Sequence, residues 1–244
     1  MKKLLFALMI IAAVPASLMA ISAEDIIKNL EKNTVVDTAR TNGSLVITDR
    51  FGTKTSSFIS YARGADSMLI EFTSVEEEGM KILRTKDEIY LFYPDAEELI
   101  RMQGSALKES VMGSDMSYED MTGGKSLLKS YSVTLEGTEE IAGVHCYKVS
   151  MTAKNRNVPY YRQTMWIDSE LFIYRQIHKF SRSGKLLKEI TAGDIKKVSG
   201  RVVPFHLVLK DTLKRNSSTE FFIEGIEIDI KLDPGIFSLE ELTW

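Results

Sequence analysis

Cysteine is nearly absent from this 244-residue chain: Cys146 is the single one. It lies in the strand-like run Val144-His145-Cys146-Tyr147-Lys148-Val149, so an internal disulfide is excluded, the core alone must hold the fold, and the thiol reads as a buried structural group. Proline is scarce too, at five residues. No Gly/Ser-rich or Pro-rich stretch divides the chain, which predicts one large domain. Long apolar runs are missing beyond the N-terminus. The run Leu4 to Val14 is too short to cross a bilayer, and no later stretch approaches the roughly 20 apolar residues of a membrane helix, so the mature chain is expected to be soluble.

What stands at the N-terminus is a targeting pattern. Lys2 and Lys3 precede the apolar run, and Pro15, Ala16 and Ser17 lead to small residues, which predicts a secretory signal over residues 1–20, cleaved after Ala20 or after Ser22. A periplasmic location follows, with residues 21–244 as the single mature domain. Losing Lys2 and Lys3 leaves 31 − 2 = 29 basic residues against 34 acidic ones, a net charge of −5 with neutral histidines. That balance argues against nucleic acid as a partner.

Ser22-Ala23-Glu24-Asp25 opens a helix, with the serine as cap, Asp25 three residues on, and Ile26, Ile27 and Leu30 forming one apolar face. Strand patterns follow near 44–48, 55–62, 68–72, 81–84 and 88–93, and an antiparallel meander is the natural reading. In Ile89-Tyr90-Leu91-Phe92-Tyr93 both faces carry apolar bulk. After Pro94 the mixed polarity of 95–101 and the absence of period-two alternation over 104–129 predict a crossing of the sheet. Strands resume near 131–135, 144–151, 160–167, 171–180, 186–194, 202–209 and 220–230. A curved sheet covered on its concave side by two helical regions accommodates these patterns.

The chemistry-bearing residues do not assemble into a catalytic set. Ser114 lacks a G-x-S-x-G elbow, and His145, His178 and His206 fall in separate strand-like runs with no motif linking them to it. The histidines also lack metal-ligand spacing. Gly123-Gly124-Lys125-Ser126 has Glu119 where a phosphate loop needs glycine, so it reads as a turn. Asp115, Glu119 and Asp120 fit helix capping, Ser117 with Asp120 three residues on, better than acid/base work or cation binding. No cofactor and no metal are expected. Met102, Met112, Met116 and Met121 cluster between the two strand series. They read equally as an adaptable surface for apolar cargo or as a plug in the core.

The decapeptide Met112-Gly113-Ser114-Asp115-Met116-Ser117-Tyr118-Glu119-Asp120-Met121 resembles a signature of the periplasmic outer-membrane lipoprotein-sorting (LolA-like) family. Gly79, Lys81, Leu83 and Arg84, then Tyr90, Phe92 and Pro94, are similar to that family's G-x-K-x-L-R and W-x-Y-x-P segments, and Trp166-Ile167-Asp168, Arg175, Gly184-Lys185, Gly200 with Pro204, and Phe237 with Leu242 resemble its later strands and C-terminal end. Glu97 and Glu98 stand where the family tends to carry basic residues, with Arg101 retained.

The resemblance implies an α+β fold: an incomplete antiparallel β-barrel of about eleven strands with helices over its concave face. It further implies a carrier that binds lipoprotein acyl chains or other lipids, as a monomer, with an inner-membrane transporter as a further partner. A lipid or lipoprotein sensor regulating a membrane signalling protein is the alternative, and a hydrolase ranks third. The implied cavity and lid residues are Tyr90, Phe92, Met102, Leu107, Val111, Met112, Met116, Tyr118, Met121 and Trp166.

Overall fold

The structure is a computed structural model describing residues 21–86, 88–122, 126–156 and 158–243. The signal expected over 1–20 and the glycine turn at 123–125 lie outside the described residues. Helix α1 (Ala23–Thr34) begins where the capping pattern places it: Ser22 Oγ accepts from the Asp25 N–H at 3.1 Å and donates to the Asp25 carboxylate at 2.8 Å. Ile26, Ile27 and Leu30 are buried, so the predicted apolar face is the one that packs.

Six strands then run as a meander: β1 (Thr38–Asp49), β2 (Gly52–Arg63), β3 (Ser67–Phe72), β4 (Lys81–Arg84), β5 (Ile89–Tyr93) and β6 (Glu98–Met102). Segment 103–130 follows, its described residues forming short 3-10 turns and one helical turn, α2 (Leu127–Ser130). A second meander comprises β7 (Tyr131–Ile141), β8 (Val144–Ala153), β9 (Arg162–Asp168), β10 (Tyr174–Phe180), β11 (Leu186–Val198), β12 (Arg201–Asp211) and β13 (Ser218–Ile228). Pairing of β1 with β13 joins the two meanders into one 13-stranded antiparallel sheet, whose edges are β6 and β7. The join is tight. A Cβ at Gly43, beside the bulge in the β1–β13 ladder, would collide with the Phe222 carbonyl.

β6 is the strand that the mixed polarity of 95–101 hides. Ile100 pairs with Leu91 and Met102 with Ile89, while Glu98 and Arg101 stay exposed, as suits an edge that must not recruit another strand.

Because side chains alternate along each strand, the register carries one inner face around the whole sheet. That face is covered in two parts. Helix α1 packs on Val149, Met151, Met165, Ile167 and Ile177 of the second meander. Segment 103–130 packs on Phe72, Ile82, Ile89 and Leu91 of the first. On the outer face, Leu69, Leu83, Tyr61, Tyr90 and Phe92 are covered by Ile236 and Phe237 and by Leu242 of the terminal helical turn α3 (Leu239–Leu242).

Candidate functional site

Segment 103–130 leaves β6 and arrives at β7, so it bridges the gap between the two sheet edges. Its middle folds into a compact loop: the Val111 N–H donates to the Met116 carbonyl at 2.8 Å, and the Tyr118 N–H to the Glu109 carbonyl at 3.2 Å. Met112 (φ 52°) and Gly113 (φ 80°) both adopt left-handed backbone. A methionine there is strained by about 1 kcal/mol, so the loop around it must hold it in place.

Towards the second meander the segment is fastened by polar groups. The Asp120 carboxylate accepts from Lys188 Nζ at 2.5 Å, Lys179 Nζ at 2.9 Å, the Tyr160 hydroxyl at 2.7 Å and Ser117 Oγ at 2.8 Å. Burial by itself raises the pKa of this carboxyl, but the two lysines outweigh it and hold the group well below the ordinary carboxylate range. Tyr160 is pushed up, first by burial and then by Asp120. Asp115 forms a second fastening: it accepts from Ser217 Oγ at 2.8 Å, Thr219 Oγ1 at 2.9 Å and the Asp211 N–H at 3.0 Å. Lys214 adds a third, donating to Ser110 Oγ at 2.8 Å and to the Gly113 and Ser114 carbonyls. At the far end, Glu31 of α1 accepts the Leu127 N–H at 2.6 Å.

Towards the first meander the contact is apolar. Met102, Val111, Tyr118 and Met121 are buried, with Leu107, Met112 and Met116 half-buried against the same cluster. The Tyr118 hydroxyl, raised in pKa mainly by burial, meets that of Tyr93. The space beneath the segment is thus occupied by its own side chains. Two surface clefts lie on the outer face, one of about 540 Å³ beside Lys81 and Phe92, the other of about 200 Å³ beside Gln176 and Lys210.

Seven of the ten implied site residues therefore share one cluster: Met102, Leu107, Val111, Met112, Met116, Tyr118 and Met121. Three do not join them. Tyr90 and Phe92 point to the outer face, beneath the C-terminal segment. Trp166 also faces outward from β9, because its neighbours Met165 and Ile167 take the inward positions. There it packs edge-on to His178 at 4.8 Å, and its Nε1–H donates to Glu139 at 2.7 Å.

Ser114 is buried and its hydroxyl is engaged locally, donating to the Met116 carbonyl at 3.3 Å and accepting from the Met116 N–H at 3.2 Å. Capping explains part of Asp120, which accepts the Ser117 N–H at 2.9 Å. The larger part is its pairing with Lys179 and Lys188, which a capping pattern does not announce. A signal is present in the sequence: Lys188 stands two residues before the inward Ile190, and Lys179 two residues after the inward Ile177, which places two cations on the inner face of their strands.

The open 13-stranded antiparallel sheet has the LolA-like fold. Residues 64–244 match the model of a family described as an uncharacterized protein, and the chain belongs to that family. No curated protein matches it. A DUF1329 family protein from Desulfovibrio piger shares the fold at a TM-score of 0.84 with 20% identity over 90% of this chain and 97% of that one. A domain assigned to outer membrane lipoprotein sorting from Vibrio parahaemolyticus gives 0.80 with 16% identity over 91% and 100%. A LolA superfamily protein from Nitrosomonas europaea gives 0.76 with 19% identity over 91% and 100%. Among the described residues, no helix is long and apolar enough to cross a membrane.

Proposed function

We propose that the chain is a periplasmic carrier of acyl chains, those of lipoproteins or of free lipids, which enter between segment 103–130 and the inner face of β2 to β6. One observation carries this reading: the strap is fastened by buried polar groups on one side and meets the first meander through methionine-rich apolar contact on the other. An acyl chain can replace that apolar contact, and it cannot replace the carboxylate–lysine pairing. Each methylene withdrawn from water contributes about 0.8 kcal/mol, and unbranched thioether side chains repack at small cost, so cargo can be gained without irreversible capture. The lipoprotein-sorting assignment of the Vibrio domain agrees with such a task. A monomer that exchanges cargo with an inner-membrane transporter fits this scheme.

The test is displacement of a fluorescent fatty acid, read beside thermal melting, for Met112→Asp and Met116→Asp. A charge against apolar cargo has no partner to offset its desolvation. Affinity should fall about tenfold or more while the melting temperature stays near that of the parent. Parent-like binding by both variants, or loss of folding in both, would overturn the assignment of this strap to cargo. Mass spectrometry of the purified protein should find co-purified acyl species.

A further inference from the structure

The register brings four connections side by side at one end of the barrel. Thr48 lies opposite Ser218, Lys188 opposite Asp211 and Phe180 opposite Arg162. The β1–β2 turn therefore neighbours connections 212–217, 181–185 and 154–161. Arg50, Arg156, Arg182, Lys185 and Arg215 on this arc are exposed, and none is in an ion pair among the described residues. Around the rest of the same rim the sign reverses. The β3–β4 connection carries Glu76, Glu77 and Glu78, and the β5–β6 connection Asp95 and Glu97.

The basic arc also exposes large apolar side chains at its tips. Phe51 is 82% exposed and Leu213 57%. Neither is placed there by turn geometry: a two-residue hairpin tip favours asparagine or glycine, and an Asx turn accepting the Leu213 N–H on Asp211 needs no leucine. Each stands beside cations. The Arg50 guanidinium lies 4.5 Å from the centre of the Phe51 ring, and Leu213 precedes Lys214 and Arg215. Further round the arc, Arg182 lies 4.8 Å from the centre of the half-exposed Tyr161 ring. Val75, 91% exposed, belongs to the acidic sector and is not part of this pattern.

We infer that this arc docks the protein on an anionic bilayer surface, with Phe51 and Leu213 entering the headgroup layer and the arginines meeting lipid phosphates. Apolar tips gain by leaving water, while the cations gain only where the surface is negative, so the two together select an anionic membrane. The acidic sector would be repelled, which fixes a tilted approach. Lys214 ties the Leu213 connection to the Gly113 and Ser114 carbonyls of the strap, so docking would bring the strap close to the membrane.

The test is co-sedimentation of the protein, recovered after export, with vesicles of phosphatidylcholine alone or containing phosphatidylglycerol. Binding is expected with the anionic vesicles and to weaken in high salt. Arg50→Gln and Arg182→Gln should each weaken it about fivefold, and Phe51→Ser about tenfold. These exposed positions should leave the melting temperature unchanged. A Phe51→Trp reporter should be quenched by brominated anionic lipid. Equal binding to both vesicle types, no binding to either, or parent-like binding by the Gln and Ser variants would overturn the inference. Co-sedimentation reports docking, not cargo, so either result leaves acyl binding to be judged by its own assay.

Discussion

The inner face of this sheet has two covers, and they are built from different materials. Helix α1 seals the second meander with Ile26, Ile27 and Leu30, all buried to within a few per cent, in a regular helix whose backbone bonds are internal. The strap seals the first meander with short turns, a left-handed methionine and half-buried thioethers. Six methionines, Met68, Met80, Met102, Met112, Met116 and Met121, gather around the strap, against Met151 and Met165 beneath the helix. Branched side chains in fixed rotamers make a jigsaw; methionine fills gaps and refills them differently. A protein that must keep one core constant while another accommodates cargo has reason to divide its inner face in this way.

The largest effect should come from the fastening between the two regions. Asp120→Ala leaves Lys179 and Lys188 facing each other, both largely buried and without their shared carboxylate. Breaking a buried pair from one side costs about 3–5 kcal/mol, readable as a lowered urea midpoint. The same group sets the acid limit. Its folded pKa is depressed, so its contribution is complete above the unfolded value near 4 and is lost as pH falls below it towards the folded pKa. The strap should therefore stay fastened at pH 5 and loosen only in stronger acid, which hydrogen exchange of residues 111–121 would follow. Loosening at pH 5 to 6 would place the fastening elsewhere.

Next in size is the contrast between the covers themselves. Ile27→Ala opens a cavity in the helix-covered half and should cost about 3 kcal/mol, whereas the half-buried Met116→Ala should cost about 1 kcal/mol, because the strap can collapse onto the gap. Fatty-acid displacement should reverse the order, with Met116→Ala shifting affinity and Ile27→Ala leaving it unchanged. Equal stability costs would mean that the strap is as well packed as the helix, and the comparison would fail.

Much of this division could be read along the chain, and the omissions have physical causes. The α1 cap and face, the meander on either side of Pro94, and the crossing after it follow from local patterns that tertiary contacts do not override. β6 escapes because an edge strand buries one flank only, so Leu99, Ile100 and Met102 are diluted by Glu98 and Arg101. Alternation in β5 shows that both faces are apolar but carries no sign for inside or outside. Tyr90 and Phe92 belong to the face closed by Ile236, Phe237 and Leu242, residues more than a hundred positions away. The lysine pair escapes for a similar reason: a cation at an inward strand position declares that it needs a partner and leaves the partner unnamed.

The smallest effect expected is also the one that isolates the helix from the strap. Ser22 Oγ accepts the Asp25 N–H at 3.1 Å, one of the donors that the start of α1 leaves without an intrahelical acceptor. Ser22→Ala should cost about 1 kcal/mol, which for a chain of this size lowers the melting temperature by about 2–4 °C. The change lies at the helix start, whereas the helix touches the strap from its last turns, through Glu31 to the Leu127 N–H. Fraying at Ser22 should therefore stop short of the connection, and displacement of the fatty-acid probe should match the parent. If Ser22→Ala weakened probe binding as much as Met116→Ala does, the two covers would be one cooperative unit, and cargo entry would require α1 to move as well.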